Sequence, residues 1–230
     1  MLLLALDTSS PAVTVAVHDG QWVLATRTSV DARRHGELLA PLVAEALADA
    51  GAAPGDLTDV VVGVGPGPYT GLRIGLVTAR TVAAVTGATV QGACSLDVLG
   101  LSPVVRASAP GRPVMVVTDA RRQEVHWAAY DAEGRRTDGP RVERPRDLAA
   151  GLPPGTVLVG RGAQLYADVF AAELADGRLL APPLDPDAAV LAQAVVDGRI
   201  ELGPAEPCYL RRPDATPPGP PKPVLPAYRR

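Results

Sequence analysis

The stretch "VVVGVGPGPYTGLRIG", Val60–Gly75, decides how this chain is read. A buried-looking valine run enters a turn of alternating Gly and Pro, and a helical pattern follows over 71–86 until Gly87 stops it. Strand, glycine turn and helix is the context in which backbone N–H groups converge on an anion. The specific fingerprints are missing. A P-loop needs G-x-x-x-x-G-K-[ST], but Leu72 follows Gly71. A dinucleotide turn needs G-x-G-x-x-G, and counting from Gly63 or Gly65 puts Pro68 or Thr70 at the third glycine. Two readings stay open: a phosphate cradle, or a tight turn in which Gly supplies unusual dihedrals and Pro supplies stiffness.

Upstream, "LLLALDTSS" and "AVTVAVHDG" read as two strands joined at Ser9-Ser10-Pro11, and "WVLATRTSV" as a third. From His35 the period changes. Leu38, Leu39, Leu42, Val43, Ala46 and Leu47 recur at helical spacing until Gly51, with Pro41 expected in the first turn. The second half repeats this order. "DTSSPAVTVAVHD" matches "DARRQEVHWAAYD" at an offset of 112, and "VVVGVGPGPY" matches "VLVGRGAQLY" at an offset of 97. The 15-residue difference is about the length of the 35–50 helix, so the second copy is expected to lack it. The expected organisation is a duplicated hairpin, crossover and strand unit: an N-terminal half at 1–103, a reduced C-terminal half at 104–212 and a proline-rich tail at 213–230. "SPVVRASAPGRP" would link the halves.

The composition narrows the classes. The 230 residues carry a formal charge of −3, so no basic field for autonomous nucleic-acid binding is expected. Cys94 and Cys208 are the only cysteines, too few for a disulfide framework or a cysteine-rich zinc site. No run approaches the length of a membrane helix, and "MLLLALD" lacks the basic start and apolar length of a leader. A cytoplasmic protein without membrane contact is expected. No H-x-x-x-H or H-E-x-x-H joins His18, His35 and His126, so neither a metal site nor a metallopeptidase is expected. His35, beside Arg33 and Arg34, reads as a solvated or capping residue. Asp7 and Asp119 end the first strand of each half, where facing carboxylates could organise a metal–phosphate complex or simply form turns.

"ALDTSSPAVTVAV", "RRHGELLAPLV", "VGVGPGPYTGLRIGLVTA", "DARRQEVHWAAYD" and "PCYLRRPDA" together resemble the bacterial TsaB (YeaZ) family of tRNA threonylcarbamoyladenosine biosynthesis proteins. The resemblance runs from residue 1 to about 215 and is most specific at Gly65–Gly75, where Pro68-Tyr69 replace the family's Ser-Phe. It implies an α/β, actin/Hsp70-like (ASKHA) fold of two duplicated halves, each with a central mixed sheet. It further implies a non-catalytic scaffold, without cofactor or metal, in the complex that forms N6-threonylcarbamoyladenosine beside the anticodon of tRNAs reading codons that start with A. The implied partners are a TsaD-like transferase paralogue, a TsaE-like ATPase, tRNA through the complex, and a second copy when the chain is alone. The transferase's H-x-x-x-H would fall at Cys94–Gly100, which reads "CSLDVLG".

The helices at 35–50 and 71–86 carry more small and apolar residues than one buried face needs, among them Ala44, Ala48, Val77 and Ala84. With the resemblance, this makes His35, Leu38, Leu39, Leu42, Leu72, Arg73, Leu76, Ala79, Arg80 and Ala83 the expected partner-binding residues. Asp7, Ser9, Gly65, Gly67, Thr70 and Gly71 would line a degenerate nucleotide cleft. The alternative is a stand-alone actin-like ATP-dependent phosphotransferase.

Overall fold

The computed structural model describes residues 1–180 and 182–211. The expected tail at 213–230 lies outside the described residues. The first half runs β1 (Leu3–Asp7), β2 (Ala12–His18), β3 (Val23–Val30), α1 (His35–Asp49), β4 (Asp59–Gly63), α2 (Tyr69–Thr86) and β5 (Thr89–Ala93). Two short helices follow, α3 (Ser95–Leu101) and α4 (Pro103–Ser108). The second half runs β6 (Val114–Asp119), β7 (Val125–Tyr130), β8 (Arg136–Glu143), α5 (Pro145–Ala150), β9 (Val157–Val159), α6 (Arg161–Leu165), α7 (Ala171–Ala175) and β10 (Leu179–Leu180). It closes with α8 (Ala188–Val196) and β11 (Leu202–Gly203).

Both sheets have one plan. The first is ordered β3-β2-β1-β4-β5 with β11 added outside β5, and the second is ordered β8-β7-β6-β9-β10. In each, three antiparallel strands adjoin parallel ones. The fold is therefore the expected duplicated actin-like α/β architecture; the match at offset 112 runs from the ends of β1 and β6 through β2 and β7, and the match at offset 97 falls on β4 and β9. Where the second copy was expected to lack a helix, the six-residue α5 remains.

The apolar runs follow from layers on both faces. On one face of the first sheet, Leu4, Leu6, Val15, Val60 and Val62 pack under Leu39, Val43 and Leu47 of α1 and Leu72, Leu76, Ala79 and Ala83 of α2. On the other, Leu3, Ala5, Ala16 and Val61 meet Leu191 and Ala192 of α8. A strand covered on both sides loses its alternation, and every residue of β1 and β2 is buried.

Two expectations change here. The stretch at 100–112 is no open linker, since α3 and α4 occupy most of it. The boundary at 103/104 does not part the packing either. Leu96 and Leu99 of α3 join the core of the second sheet with Val114, Val116 and Tyr130, while α8 and β11 return to the first sheet. The halves thus interlock: α8 crosses to the first sheet, and α3 is shared, since its Val98 and Leu101 stay in the core of the first. Pro41 also lies in the second turn of α1 rather than its first, because the helix begins at His35.

A buried ion pair holds the interlock. Asp97 of α3 accepts hydrogen bonds from the Tyr130 hydroxyl at 2.8 Å and from Arg136 at 3.0 Å, and Arg136 also reaches Glu201 at 3.3 Å. Burial raises the Asp97 carboxyl above its ordinary range, against the opposing pull of Arg136 and the Tyr130 bond. Removing one partner of such a pair strands the other. Asp97→Ala is therefore expected to lower unfolding free energy by about 3 kcal/mol in urea titrations. Arg135→Ala, whose side chain is largely exposed, should change it by about 0.5 kcal/mol or less.

Candidate functional site

The glycine loop meets the β1–β2 turn, and the contact settles what the glycines do. Gly71 and Gly75, four residues apart, lie on one side of the first turns of α2, and Gly67 just before its N-cap Pro68 faces the same β1–β2 turn. Thr8 and Ser9 seat against that side. A Cβ on Gly67 would collide with the Ser9 carbonyl, one on Gly71 would stand 2.7 Å from the Thr8 carbonyl, and one on Gly75 would strike Thr8 Oγ1. Thr8 Oγ1 also donates to the Gly71 carbonyl at 2.8 Å. The space that a phosphate cradle would leave open is filled by the chain's own turn.

Asp7 sits beneath this contact. Its Oδ1 accepts from the Ser9 amide and hydroxyl, each at 2.7 Å, and its Oδ2 accepts from Ser95 Oγ at 2.6 Å. Ser95 Oγ in turn accepts from the Gly65 amide at 3.1 Å. The carboxylate is 1% exposed. Burial raises its pKa, outweighing the bonds from Ser95 and Ser9, and the nearby Asp185 adds to the rise. Asp7, Ser9 and Gly65 therefore form an internal brace. Asp119, its counterpart, sits at the surface end of β6 with its Oδ1 on the Arg121 amide at 2.8 Å and its Oδ2 3.2 Å from the Arg121 guanidinium.

A cleft of about 430 Å³ remains between the halves, with Ser9, Ser10 and Pro68 on one wall and Thr118, Asp119 and Arg161 on the other. Its arginines are engaged: Arg121 with Asp119, and Arg161 with Asp185 through two bonds of 2.7 and 2.6 Å. Thr70 does not line it. It lies instead on the outer side of α2, in a shallow depression shared with Arg73, Ile74, Val77 and Thr78. Of the expected cleft residues, the structure brings together Asp7, Ser9, Gly65, Gly67 and Gly71 as a packed contact, of which Ser9 also lines the cleft.

The expected partner residues divide by helix phase. Leu39, Leu72, Leu76, Ala79 and Ala83 are core residues facing the sheet and present nothing to a partner. His35 is buried, neither solvated nor capping; its Nε2 donates to the Ser10 carbonyl at 2.8 Å and ties α1 to the same turn. Leu38 and Leu42 are half-buried at the edge of that core. Arg73 and Arg80 are exposed. The outward stripe of α2 continues through Val77, 64% exposed, and Val85, 81% exposed. Its signal was the helical phase: Leu72, Leu76, Ala79 and Ala83 share one face, so Thr70, Ile74, Val77 and Thr81 must share the other.

Other chemistry is muted. Burial pushes the Cys94 thiol up to about 12, with Asp97 adding to the rise, which removes it as a thiolate nucleophile. Among the described residues no three His, Cys, Asp or Glu side chains gather as a metal-holding group. The stretch Cys94–Gly100 forms the N-cap of α3 and all of that helix but Leu101.

Three comparisons place the chain among known proteins. The family model described as TsaD, tRNA N6-adenosine threonylcarbamoyltransferase, matches residues 24–162. An uncharacterized protein of Mycobacterium leprae is 44% identical over 220 residues; the match takes in 94% of this chain, which spans little more than half, 56%, of that relative. The tRNA threonylcarbamoyladenosine biosynthesis protein TsaB of Escherichia coli is 28% identical over 222 residues, 92% of this chain and 95% of that one. The solved structure of YeaZ from Pseudomonas aeruginosa, 26% identical, superposes with a TM-score of 0.74 over 90% of this chain and 100% of its own.

Two outcomes follow from this geometry. Gly67→Ala should destabilise the protein by about 2 kcal/mol, because backbone must shift to admit the methyl, whereas Gly55→Ala, which meets nothing within 4 Å, should not; thermal melts compare them. Burial also pushes the His126 imidazole down to about 4 from its ordinary 6.5. In the unfolded chain it takes its proton near pH 6.5, so between pH 6.5 and 4 the unfolded state binds more protons and stability falls as pH falls. The full effect is roughly 3 kcal/mol. Urea titrations at pH 7 and 4.5 should show that His126→Gln loses this acid destabilisation relative to the parent, whatever the opposite trends of Asp7 and Asp97.

Proposed function

Because the chain belongs to the TsaB (YeaZ) branch of the tRNA N6-adenosine threonylcarbamoyltransferase family, and so to tRNA threonylcarbamoyladenosine biosynthesis, we propose that it is the non-catalytic scaffold of that pathway's transferase complex. In this reading it binds and supports a TsaD-like transferase together with a TsaE-like ATPase, and meets tRNA through the complex. The modified base is N6-threonylcarbamoyladenosine, beside the anticodon of tRNAs that read codons starting with A.

The observation that carries this reading is the outward stripe of α2. Val77 and Val85 are exposed on it, half-buried Ile74, Leu38 and Leu42 lie beside them at the edge of the core, and Tyr209 and Glu206 reach its rim at Arg73 and Arg80. A partner of the same fold presents helices of the same kind. Two such pairs can pack as an interchain bundle, ridges into grooves. A second copy of this chain fits the same face by the same geometry when the transferase is absent. The filled glycine loop and the buried Asp7 support a platform over a phosphotransferase, since Thr8 and Ser9 pack directly against the glycines that a phosphate-holding turn would leave open. The cleft between the halves is the feature that favours the alternative enzyme, and millimolar ATP raising the melting temperature would support it.

The test separates surface from core. Val77→Glu places a charge on the exposed stripe and should abolish co-purification with the transferase while leaving the melting temperature within a few degrees of the parent. Leu76→Glu, one residue away but buried, should instead collapse the fold. A tagged Val77→Glu chain that still retains a stoichiometric transferase would count against this face.

A further inference from the structure

The last described residues run from the first half across to the second. After β11, the Cys208 amide donates to the Val64 carbonyl at 2.8 Å, beside the glycine loop. The Tyr209 hydroxyl accepts from Arg73 Nε at 3.0 Å, and Glu206 lies 3.9 Å from Arg80, both on the outer side of α2. Two residues later the chain is on the other half: Arg211 Nη1 donates to the Ala120 carbonyl at 3.0 Å and its guanidinium pairs with Glu124.

Ala120 and Glu124 bracket an unusual turn. Arg121, Arg122 and Gln123 take φ of 61°, 56° and 60° in succession. Three consecutive residues with a Cβ in the left-handed region are disfavoured, and the conformation persists only where neighbours over-determine it. Inside the turn, the Ala120 amide donates to the Glu124 carbonyl at 3.0 Å and the Glu124 amide to the Arg121 carbonyl at 3.1 Å. From outside, Arg211 holds both ends. This turn carries Arg121 into the lip of the cleft between the halves.

We propose that residues 204–211 are a latch: Arg211 braces the left-handed turn at the cleft lip, and the Tyr209–Arg73 contact anchors the same segment on the outer face of α2. The segment is short and taut enough to carry a displacement, since only one residue separates Tyr209 from Arg211. Movement at Arg73 is thereby transmitted to a turn that relaxes once its brace is withdrawn. The cleft lip and the α2 surface become two ends of one device.

Hydrogen exchange read by mass spectrometry on the full chain tests both ends. Arg211→Ala removes a charge-assisted bond and an ion pair from the turn, so the amides at 120–124 should exchange roughly tenfold faster. Arg73→Ala, on the other half, should accelerate the same amides, and β2 should keep its parent rate in both variants. Unchanged exchange at 120–124 in Arg211→Ala would overturn the brace. An effect in Arg211→Ala without one in Arg73→Ala would overturn the anchoring on α2. Equal acceleration in β2 would show plain global destabilisation and overturn the latch as a local device.

Discussion

The seat of Thr8 and Ser9 on the glycine side of α2 is the contact from which the rest of this structure follows. It brings β1 and α2 to a separation that a side chain at Gly67, Gly71 or Gly75 would forbid. That closeness fixes the rotation of α2 about its axis. Leu72, Leu76, Ala79 and Ala83 then point into the sheet, and Thr70, Ile74 and Val77 point away from it. Asp7 is locked beneath the seat by Ser9 and Ser95, and His35 reaches the same turn from α1. One backbone approach thus determines both what the protein buries and what it shows.

The second determinant is the interlock made by α3 and α8. α8 leaves the half that precedes it in sequence and covers the first sheet, while α3 lodges between the cores, with Leu96 and Leu99 in the second and Val98 and Leu101 in the first. A hinge between two self-contained lobes would need an interface that opens at small expense. Here any large opening would pull Leu96 and Leu99 from the second sheet and break the Asp97–Arg136 pair. Motion is therefore confined to what the interlock leaves free, namely turns and segments at the cleft rim.

Much of this was legible in the residues. The two offsets located β2, β4 and their copies, with Asp7 and Asp119 marking the ends of β1 and β6, and the duplicated sheet plan follows from them. The glycine loop was legible as a strand-to-helix turn but ambiguous in purpose, because a stretch of Gly and Pro states that backbones come close without naming what approaches. The partner of the loop, Thr8-Ser9, lies some sixty residues away, and no local pattern connects them. The α3 stretch "SLDVLGL" is buried all round, so its sequence could not say which sheet it covers. The face of α2 was recoverable from phase, yet small residues on both sides blurred it: alanines serve equally in a core and on a helix surface. Pro41 was misplaced because the start of α1 is set by the bond of His35 to Ser10, which is a tertiary contact.

These constraints bear on how one fold serves both chemistry and assembly. A glycine loop that holds phosphate must keep a volume empty against the pressure of packing, and its amides must point into that volume. Seating the neighbouring turn against the glycines gives a rigid strand–helix junction and fixes the helix in orientation. A rigidly oriented helix with an apolar outer stripe is what an interface needs, because preorganised partners lose less freedom on docking. The glycine spacing that first suggests a nucleotide thus has a second physical consequence: it sets the phase of α2, and through that phase which residues the helix buries and which it exposes.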